Sequence, residues 1–271
     1  MAGKKRHLVY TVALDRPGQT GHRNMAKMLV SSLLRTRFSG DILVFHDAPG
    51  PLFMVARAGV REVRLRVPEE GCADGDFTAY AQSCKHGVAA HLDTAAYDRI
   101  MFIDCDALAL RNIDHLFAGE WELAVTVETG SKIQEYGYGG YLTKRERKTV
   151  VRDGMNSGTW VVAAERCGEL LRRWRKVESR APLDPECLRE QSAFNRVAVN
   201  WDGVVQAWPC GEIALPLVTG HLTAYPEYCR AAIVHVASGY PVDYKMRFLF
   251  SIFAGRFLYD SQLALFNVME M

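Results

Sequence analysis

Two aspartates stand two residues apart directly after a short apolar run. Asp104 and Asp106 follow residues 100–103, Ile-Met-Phe-Ile, which are typical of a buried strand. If the extended geometry continues, both carboxylates point the same way, and like charges held together destabilise each other unless a cation lies between them. Carboxylate oxygens suit Mg²⁺ or Mn²⁺, and such a cation offsets charge on a diphosphate. The spacing predicts a divalent-metal site, with two solvated, helix-capping aspartates as the alternative.

Alternating strand and helix patterns in the first half of the chain would position these carboxylates. Strands are predicted at residues 8–14, 42–45, 60–67 and 100–103, with helices around 25–33 and 79–96. This order is typical of an α/β fold with a Rossmann-like, doubly wound, mainly parallel sheet. Such sheets bind ligands at the carboxyl ends of their strands.

The second half begins with a predicted strand at 123–127 and then changes character. Tyr136, Tyr138 and Tyr141 alternate with glycines, and the charged run 144–148 follows. We expect residues 131–152 to form a mobile loop that closes over a ligand, with a solvated surface loop as the alternative. Regular structure is predicted to resume with a strand at 159–163, helices at 167–177 and 186–197, a strand at 231–236 and a partly helical apolar tail at 246–268.

Composition limits the classes of function. The chain has 271 residues, 49% of them hydrophobic, and 33 Lys plus Arg against 31 Asp plus Glu. This balance gives no general reason to expect a nucleic-acid partner. Seven scattered cysteines without a Cys-x-x-Cys pair favour reduced thiols in the cytoplasm. We expect no transmembrane segment, since no apolar run reaches ~20 residues.

The tail, with Arg247 and Arg256 among phenylalanines, leaves three roles open: peripheral membrane contact, packing on the body, or a homodimer interface.

Four segments, taken in order, carry a family pattern. The aspartate segment continues through Leu108, Leu110, Asn112-Ile113-Asp114 and Leu116-Phe117. It is followed by Met155-Asn156-Ser157-Gly158, by Glu190-Gln191 with Asn195, and by Ile233-Val234-His235 with Gly239 and Lys245. Over about residues 8–245 the chain resembles family 8 glycosyltransferases of the glycogenin type.

The resemblance implies a GT-A fold and its activity. A single GT-A domain would cover residues 1–271, with an acceptor-side half inserted after the Asp-x-Asp strand. Residues 1–118 would form the nucleotide-binding half, 119–245 the donor-sugar and acceptor half, and 246–271 an apolar tail. The implied reaction is sugar transfer from a nucleotide-sugar donor, usually UDP-linked, to a hydroxyl acceptor with Mn²⁺ or Mg²⁺.

The resemblance also assigns roles to residues. It makes Asp104, Asp106 and His235 metal ligands, whereas His235 by itself would be a core histidine. It makes Asn156, Glu190 and Gln191 the catalytic group: Asn156 bonds the donor sugar, Gln191 lies near its anomeric carbon, and Glu190 meets a sugar hydroxyl. Without the resemblance, Asn156 is interpreted as part of a β-turn, and Glu190 and Gln191 as part of a polar helix face. The donor site is completed by Thr11, Val12, Ala13, Asp15, Lys85, Cys105, Gly239 and Lys245. Lys85 could equally be a solvated helix lysine.

Some departures from the family pattern leave alternatives open. Glu190 replaces the usual Asp, and Lys245 comes four residues late, so Arg247 or a lysine from 144–148 could bind the diphosphate instead. Retention by front-face substitution is implied by the resemblance alone. Inversion with Asp153 or Glu190 as general base stays open. The alternatives in function are a sugar-nucleotide pyrophosphorylase and a non-catalytic nucleotide-sugar or glycan-binding module.

Overall fold

The structure of the protein is a computed structural model. It describes residues 6–67, 74–134, 137–150, 152–208, 211–215, 230–237 and 241–258.

Strands and helices alternate through this part of the chain. The strands are β1 His7–Ala13, β2 Asp41–His46, β3 Val60–Arg64, β4 Arg99–Ile103, β5 Ala107–Ala109, β6 Leu123–Lys132, β7 Asp153–Ala163, β8 Val205–Trp208, β9 Ile213–Ala214 and β10 Ile233–His235. The helices are α1 Gly21–Arg35, α2 Asp74–Gly87, α3 Lys144–Thr149, α4 Ala164–Glu178, α5 Arg189–Val199 and α6 Val242–Phe253, which runs on into a π-helical segment, Ala254–Leu258.

The described strands form two sheets. The larger has seven strands, is mostly parallel and has the order β3-β2-β1-β4-β7-β6-β8. In it β2 runs parallel to β3 and β6 parallel to β8, whereas β6 and β7 are antiparallel. The smaller sheet has the order β5-β10-β9. The predicted mixed α/β class with a mainly parallel sheet is confirmed.

The chain divides into two compact units that interleave in sequence. Unit 1 takes its described residues from Met1–Leu8, Glu70–Phe102 and Phe117–Cys210, and unit 2 from Val9–Glu69, Ile103–Leu116 and Gly211–Met271. The prediction of one catalytic domain with halves meeting near residue 118 stays a prediction.

An aromatic cluster fills the core of unit 1. Trp160 of β7, Trp174 of α4 and Phe194 of α5 are fully buried. Their ring centroids lie 4.9–6.3 Å apart, and Phe102 of β4 stacks on Trp160 at 5.7 Å. Such large side chains bury the most apolar surface per residue, so they fix α4 and α5 against β7.

The core of unit 2 lies around α1. Met25, Leu29 and Leu33 of this helix are fully buried. Its first residue is Gly21, where an added Cβ would lie 2.1 Å from a methyl carbon of Val242 in α6. A glycine is therefore required for α6 to approach the start of α1 this closely. The tail helix packs on the body, with Leu249, Ile252 and Phe253 buried.

Several element boundaries differ from the sequence interpretation. β7 begins at Asp153 rather than at 159, so residues 156–158 lie in a strand and not in a turn. Residues 144–149 form α3 inside the predicted loop, because Thr143 and Glu146 make a reciprocal capping box. α2 runs Asp74–Gly87 rather than 79–96, and the tail helix begins at Val242. Within the described ranges, no helix combines the length and the apolar character needed to cross a membrane.

Candidate functional site

Asp104 and Asp106 lie where the chain passes from β4 into β5. Asp104 follows the last residue of β4, and Asp106 directly precedes β5. β5 pairs antiparallel with β10, in a register that sets His235 opposite Ala107. The N–H of Val236 donates to the carbonyl oxygen of Asp106 over 2.9 Å. Strand pairing thus brings an imidazole from the distant end of the sequence beside the second aspartate.

The three side chains form a compact cluster of metal-ligand types. His235 Nε2 lies 3.2 Å from Asp106 Oδ1 and 3.6 Å from Asp104 Oδ2. One ligand atom from each residue lies within 4.8 Å of the others. His235 and Asp106 are buried, and Asp104 is half-buried. Solvent reaches the cluster mainly at Asp104.

Lys245 adds a positive charge to this cluster. It stands in the first turn of α6, and its Nζ donates to Asp106 Oδ2 over 2.7 Å. Burial opposes ionisation of Asp106, but Lys245 and His235 outweigh it and hold the pKa of this carboxyl well below its usual value. Two carboxylates and one ammonium sum to −1 when the histidine is neutral. A bound divalent cation would change that to +1, the sign that a diphosphate requires.

The donor set fits a divalent cation. Metal–ligand bonds of about 2.1 Å in octahedral geometry place adjacent ligand atoms about 3 Å apart, close to the 3.2 and 3.6 Å separations here. Two carboxylates and an imidazole suit Mn²⁺ better than Ca²⁺, which prefers more oxygen ligands. One detail departs from the usual pattern: among the described residues, the buried Nδ1 of His235 has no hydrogen-bond partner that would orient the ring.

Cys105, between the aspartates, contributes no thiolate. Its side chain is buried, and burial together with Asp106 and Asp104 raises the pKa of the thiol well above its ordinary value. The thiol is therefore neutral at pH 7, and only a thiolate is a good metal ligand. Any contact of Cys105 with a donor would come from its backbone.

The predicted nucleoside-binding residues occupy β1 and the turn after it. Thr11, Val12 and Ala13 are buried in β1. Asp15 accepts the backbone N–H groups of His22 and Arg23 over 2.8 and 3.1 Å, and the side-chain Nε of Arg23 over 2.8 Å. The His22 ring also contacts this carboxylate, with Nδ1 3.1 Å from Oδ1, and together these contacts outweigh burial and lower the pKa of Asp15 to about 2. The structure thus uses this carboxylate to cap the N-terminus of α1.

The remaining candidates for diphosphate binding are spread out. Gly239 lies outside the described residues. Arg247 is exposed on α6, and Lys144 and Lys148 are exposed on α3 of unit 1. Lys245 is the candidate that contacts an aspartate of the cluster, so its late position in the sequence does not keep it from the site.

In unit 1, Asn156 and Gln191 converge on a carboxylate that sequence reasoning missed. Asn156 Nδ2 and Gln191 Nε2 donate to Glu128 Oε1 over 2.8 and 3.2 Å. The hydroxyl of Tyr138 donates to Glu128 Oε2. Glu128, only 1% exposed, is the hub of this network. Gln191 is half-buried, so solvent reaches the network at that amide.

Glu190 lies in a second set of contacts in the same unit. Ser157 Oγ donates to Glu190 Oε2 over 3.0 Å, and Lys85 Nζ lies 3.5 Å from Glu190 Oε1. Lys85 is therefore an ion-pair partner rather than a solvated lysine. Asn195 ties α5 to β7, accepting from the N–H of Met155 over 2.8 Å and donating to its carbonyl oxygen over 2.7 Å.

Asp153, the alternative general base, is paired on the strand surface. Lys132 Nζ donates to Asp153 Oδ1 over 2.5 Å, and this hydrogen bond lowers the pKa of the carboxyl. A lowered pKa makes a carboxylate a weak base.

The sequence held signals for the missed residues. Glu128 directly follows the apolar residues 123–127, much as Asp104 follows residues 100–103, but the strand prediction stopped at 127 whereas β6 continues to Lys132. Tyr138 and Tyr141 were expected on a mobile loop, yet both rings are buried. An added Cβ at Gly154 would lie 2.8 Å from the ring of Tyr138, so a glycine is needed for the ring to pack there. Tyr136 lies outside the described residues.

The chain was also compared with known proteins. No family model matches it, and no curated protein matches it either. The likeness to family 8 glycosyltransferases therefore depends on the four motifs alone.

Proposed function

We propose that this protein is a metal-dependent glycosyltransferase that moves a sugar from a nucleotide diphosphate donor, UDP-linked by preference, to a hydroxyl acceptor. The observation that carries the proposal is the convergence of Asp104, Asp106 and His235 with Lys245 beside them. Cation ligands with an adjacent ammonium suit a diphosphate leaving group. The mixed α/β architecture with a mostly parallel sheet is compatible with a GT-A fold.

The residues of the cluster have electrostatic roles in this proposal. Asp104, Asp106 and His235 would hold Mn²⁺ or Mg²⁺, which supplies charge neutralisation for the departing diphosphate. Lys245, now paired with Asp106, would turn its ammonium to a phosphate oxygen once the carboxylates have another cation to neutralise them. The buried floor of the cluster keeps these interactions strong, because screening by water is weak there.

The network of unit 1 has the groups that bind sugar hydroxyls. The Gln191 amide is reachable by solvent, and Glu190, Ser157 and Lys85 add acceptors and donors. Glu128 orients the amides of Asn156 and Gln191 by accepting from both. We assign Gln191 and Asn156 to contact with the donor sugar, and Glu190 to a sugar hydroxyl.

A donor panel tests the proposal. Purified protein is incubated with Mn²⁺ and UDP-, GDP- and ADP-linked sugars, with and without hydroxyl acceptors, and free nucleoside diphosphate is measured. We expect release with a UDP-sugar that is lost in Asp106→Asn and kept in Asp202→Asn, an exposed aspartate of unit 1. Donor binding without turnover would favour a binding module. Pyrophosphate release from a sugar phosphate and a nucleoside triphosphate would favour a pyrophosphorylase.

The same assay reports stereochemistry. The anomeric configuration of the first product formed, read by NMR before mutarotation, distinguishes retention from inversion. We propose retention, which the resemblance implies. The hydrogen bond from Lys132 weakens Asp153 as a base, and Glu190 stays the alternative base for inversion.

A further inference from the structure

Asp106 has a cationic partner from its own chain. Lys245 Nζ donates to Asp106 Oδ2 over 2.7 Å, while His235 Nε2 lies 3.2 Å from Asp106 Oδ1. Each oxygen of this carboxylate is therefore in contact with a group of unit 2. The side chains of Lys245 and Asp106 are only 14% and 12% exposed, so water screens their attraction weakly.

A divalent cation held by Asp104, Asp106 and His235 would share Asp106 with this ammonium. Two cations on one carboxylate repel each other, and the repulsion is strong where screening by water is weak. Binding of the metal therefore opposes the contact between Lys245 and Asp106. Each of the two cations lowers the affinity of the carboxylate for the other.

Lys245 can leave Asp106 by rotation of its side chain alone. Its backbone N–H donates to the carbonyl oxygen of Pro241 over 3.1 Å, within the first turn of α6. This end of the helix packs closely on α1, since an added Cβ at Gly21 would lie 2.1 Å from a methyl carbon of Val242. The packing fixes the backbone of Lys245, whereas its flexible four-carbon stem lets the ammonium swing away while α6 stays in place.

A diphosphate has the charge that would draw the ammonium away from Asp106. Lys245 stands at the N-terminal end of α6, where the helix dipole disfavours a cation and favours an anion. Asp106 offsets that cost in the ion pair, and a phosphate oxygen would offset it equally. The charged neighbours in the same helix, Asp243 and Arg247, are both exposed and opposite in sign. Their contributions to the charge at this end of α6 therefore cancel.

We propose that Lys245 competes with the metal for Asp106 and keeps the affinity for a divalent cation low until a diphosphate binds. The diphosphate takes the ammonium, and Asp106 becomes available to the metal. Binding of the metal and of the diphosphate is thus coupled through one side chain, and by linkage each raises the affinity for the other by the same factor. This inference rests on the proposed function, because it takes the cluster as a metal site and a nucleoside diphosphate as its ligand.

Binding of Mn²⁺ alone tests the competition. Free Mn²⁺ is measured by electron paramagnetic resonance while the full chain is titrated without nucleotide. Lys245→Gln removes a competing charge-assisted hydrogen bond, so Mn²⁺ should bind this variant about tenfold more tightly than wild type. Lys245→Met, which keeps the length of the stem without its charge, should show the same gain. Circular dichroism confirms that each variant is folded before it is compared.

Arg247→Gln is the matched control. It removes the same charge from the same helix, two residues farther on, at a position that does not face the side of Lys245. The Arg247 side chain is exposed, so water and salt screen its charge. The affinity for Mn²⁺ should change by less than about twofold. A gain as large as that of Lys245→Gln would assign the effect to general charge and would overturn the inference.

Addition of UDP tests the coupling. The titrations are repeated at saturating UDP, and the affinity of Mn²⁺ for UDP itself is measured in protein-free buffer and taken into account. UDP should tighten Mn²⁺ binding in wild type and in Arg247→Gln by about tenfold more than in Lys245→Gln. The reason is that no ammonium has to leave Asp106 in the Lys245 variant.

The outcomes separate this inference from the proposed function. Equal Mn²⁺ affinity in wild type and both Lys245 variants would overturn the inference, and so would an equal effect of UDP in all of them. Mn²⁺ binding that Asp106→Asn abolishes would in both cases leave the proposed metal site in place. No Mn²⁺ binding to wild type or to either Lys245 variant would overturn the metal site, and the inference with it.

Discussion

The two aspartates of the cluster should respond differently to substitution, although both are proposed metal ligands. From sequence alone, removing either carboxylate relieves repulsion, so metal-free stability is expected to hold or rise. The structure changes that expectation for Asp106, because Lys245 and His235 contact its two oxygens. Asp106→Asn deletes a favourable charge, whereas Asp104→Asn leaves the Lys245–Asp106 pair intact.

The size of the difference follows from these contacts. A hydrogen bond to a charged group contributes about 1 kcal/mol more to stability than one to a neutral group. Losing the charge of Asp106 at two contacts should therefore lower the free energy of unfolding by about 2 kcal/mol. For a chain of this size that lowers Tm by about 4–8 °C. Asp104 Oδ2 is 3.6 Å from His235 Nε2, beyond hydrogen-bond distance. Asp104→Asn removes neither contact of Asp106, so it should lower metal-free Tm by less than Asp106→Asn does.

Thermal melts in EDTA and in Mn²⁺ measure both effects. The free energy of unfolding of the wild-type protein should rise by about 2.7 kcal/mol at a Mn²⁺ concentration one hundred times its Kd. Both variants should lose most of that gain and all donor turnover, because each removes one of three ligands. Asp202→Asn removes only surface ion pairs with Arg166 and Arg173, so it should lower the free energy of unfolding by less than about 1 kcal/mol and leave the Mn²⁺ effect and turnover as in wild type.

Two results would refute the reasoning. An equal fall of metal-free Tm in both variants would show that the Lys245 pair does not stabilise Asp106 selectively. A Mn²⁺-induced Tm shift in Asp106→Asn as large as that of wild type would remove this residue from the ligand set.

Four further outcomes are expected. EDTA should abolish donor turnover, and Mn²⁺ should restore it better than Ca²⁺, which prefers more ligands; full activity in chelator would contradict this. Glu128→Ala should lower the free energy of unfolding in urea by about 3 kcal/mol, because three donors, two of them buried, lose their acceptor, and Glu128→Gln should lower it by less; equal losses in the two variants would contradict a role for the charge of Glu128. Because the folded pKa of Asp15 is depressed to about 2 from 3.8, its stabilisation is present above about pH 4 and lost as pH falls towards 2. Wild type should thus lose about 1–2 kcal/mol more than Asp15→Asn between pH 5 and 2, and parallel curves would contradict the capping role. Residues 131–152 should be cleaved more slowly by protease at saturating UDP-sugar and Mn²⁺, and unchanged cleavage would leave the lid hypothesis without support.

Local patterns predicted most of the element types. The apolar run before Asp104 is a buried strand, and residues 25–33 fall inside α1, because one-sided hydrophobic spacing reports burial directly. The prediction of secondary structure from sequence was wrong where contacts between distant residues outweigh local composition. Asn156-Ser157-Gly158 has the composition of a turn, yet β6 pairs Thr126 with Asn156 and draws it into β7. The helix at Lys144–Thr149 is a different case, because its capping box joins Thr143 and Glu146 and is therefore a local signal that the prediction of a loop overlooked.

The sequence showed which residues could bind a metal, but it did not show that all of them lie together. Asp104 and Asp106 adjoin one strand, so their proximity is local. The approach of His235 depends on the β5–β10 register, and that of Lys245 on where α6 begins. Glu128 gathers Asn156, Gln191 and Tyr138 from three separate segments. Side-chain spacing along a strand or helix is set by the backbone itself. Pairing between remote segments is set by the packing of the whole core, which only the tertiary structure decides.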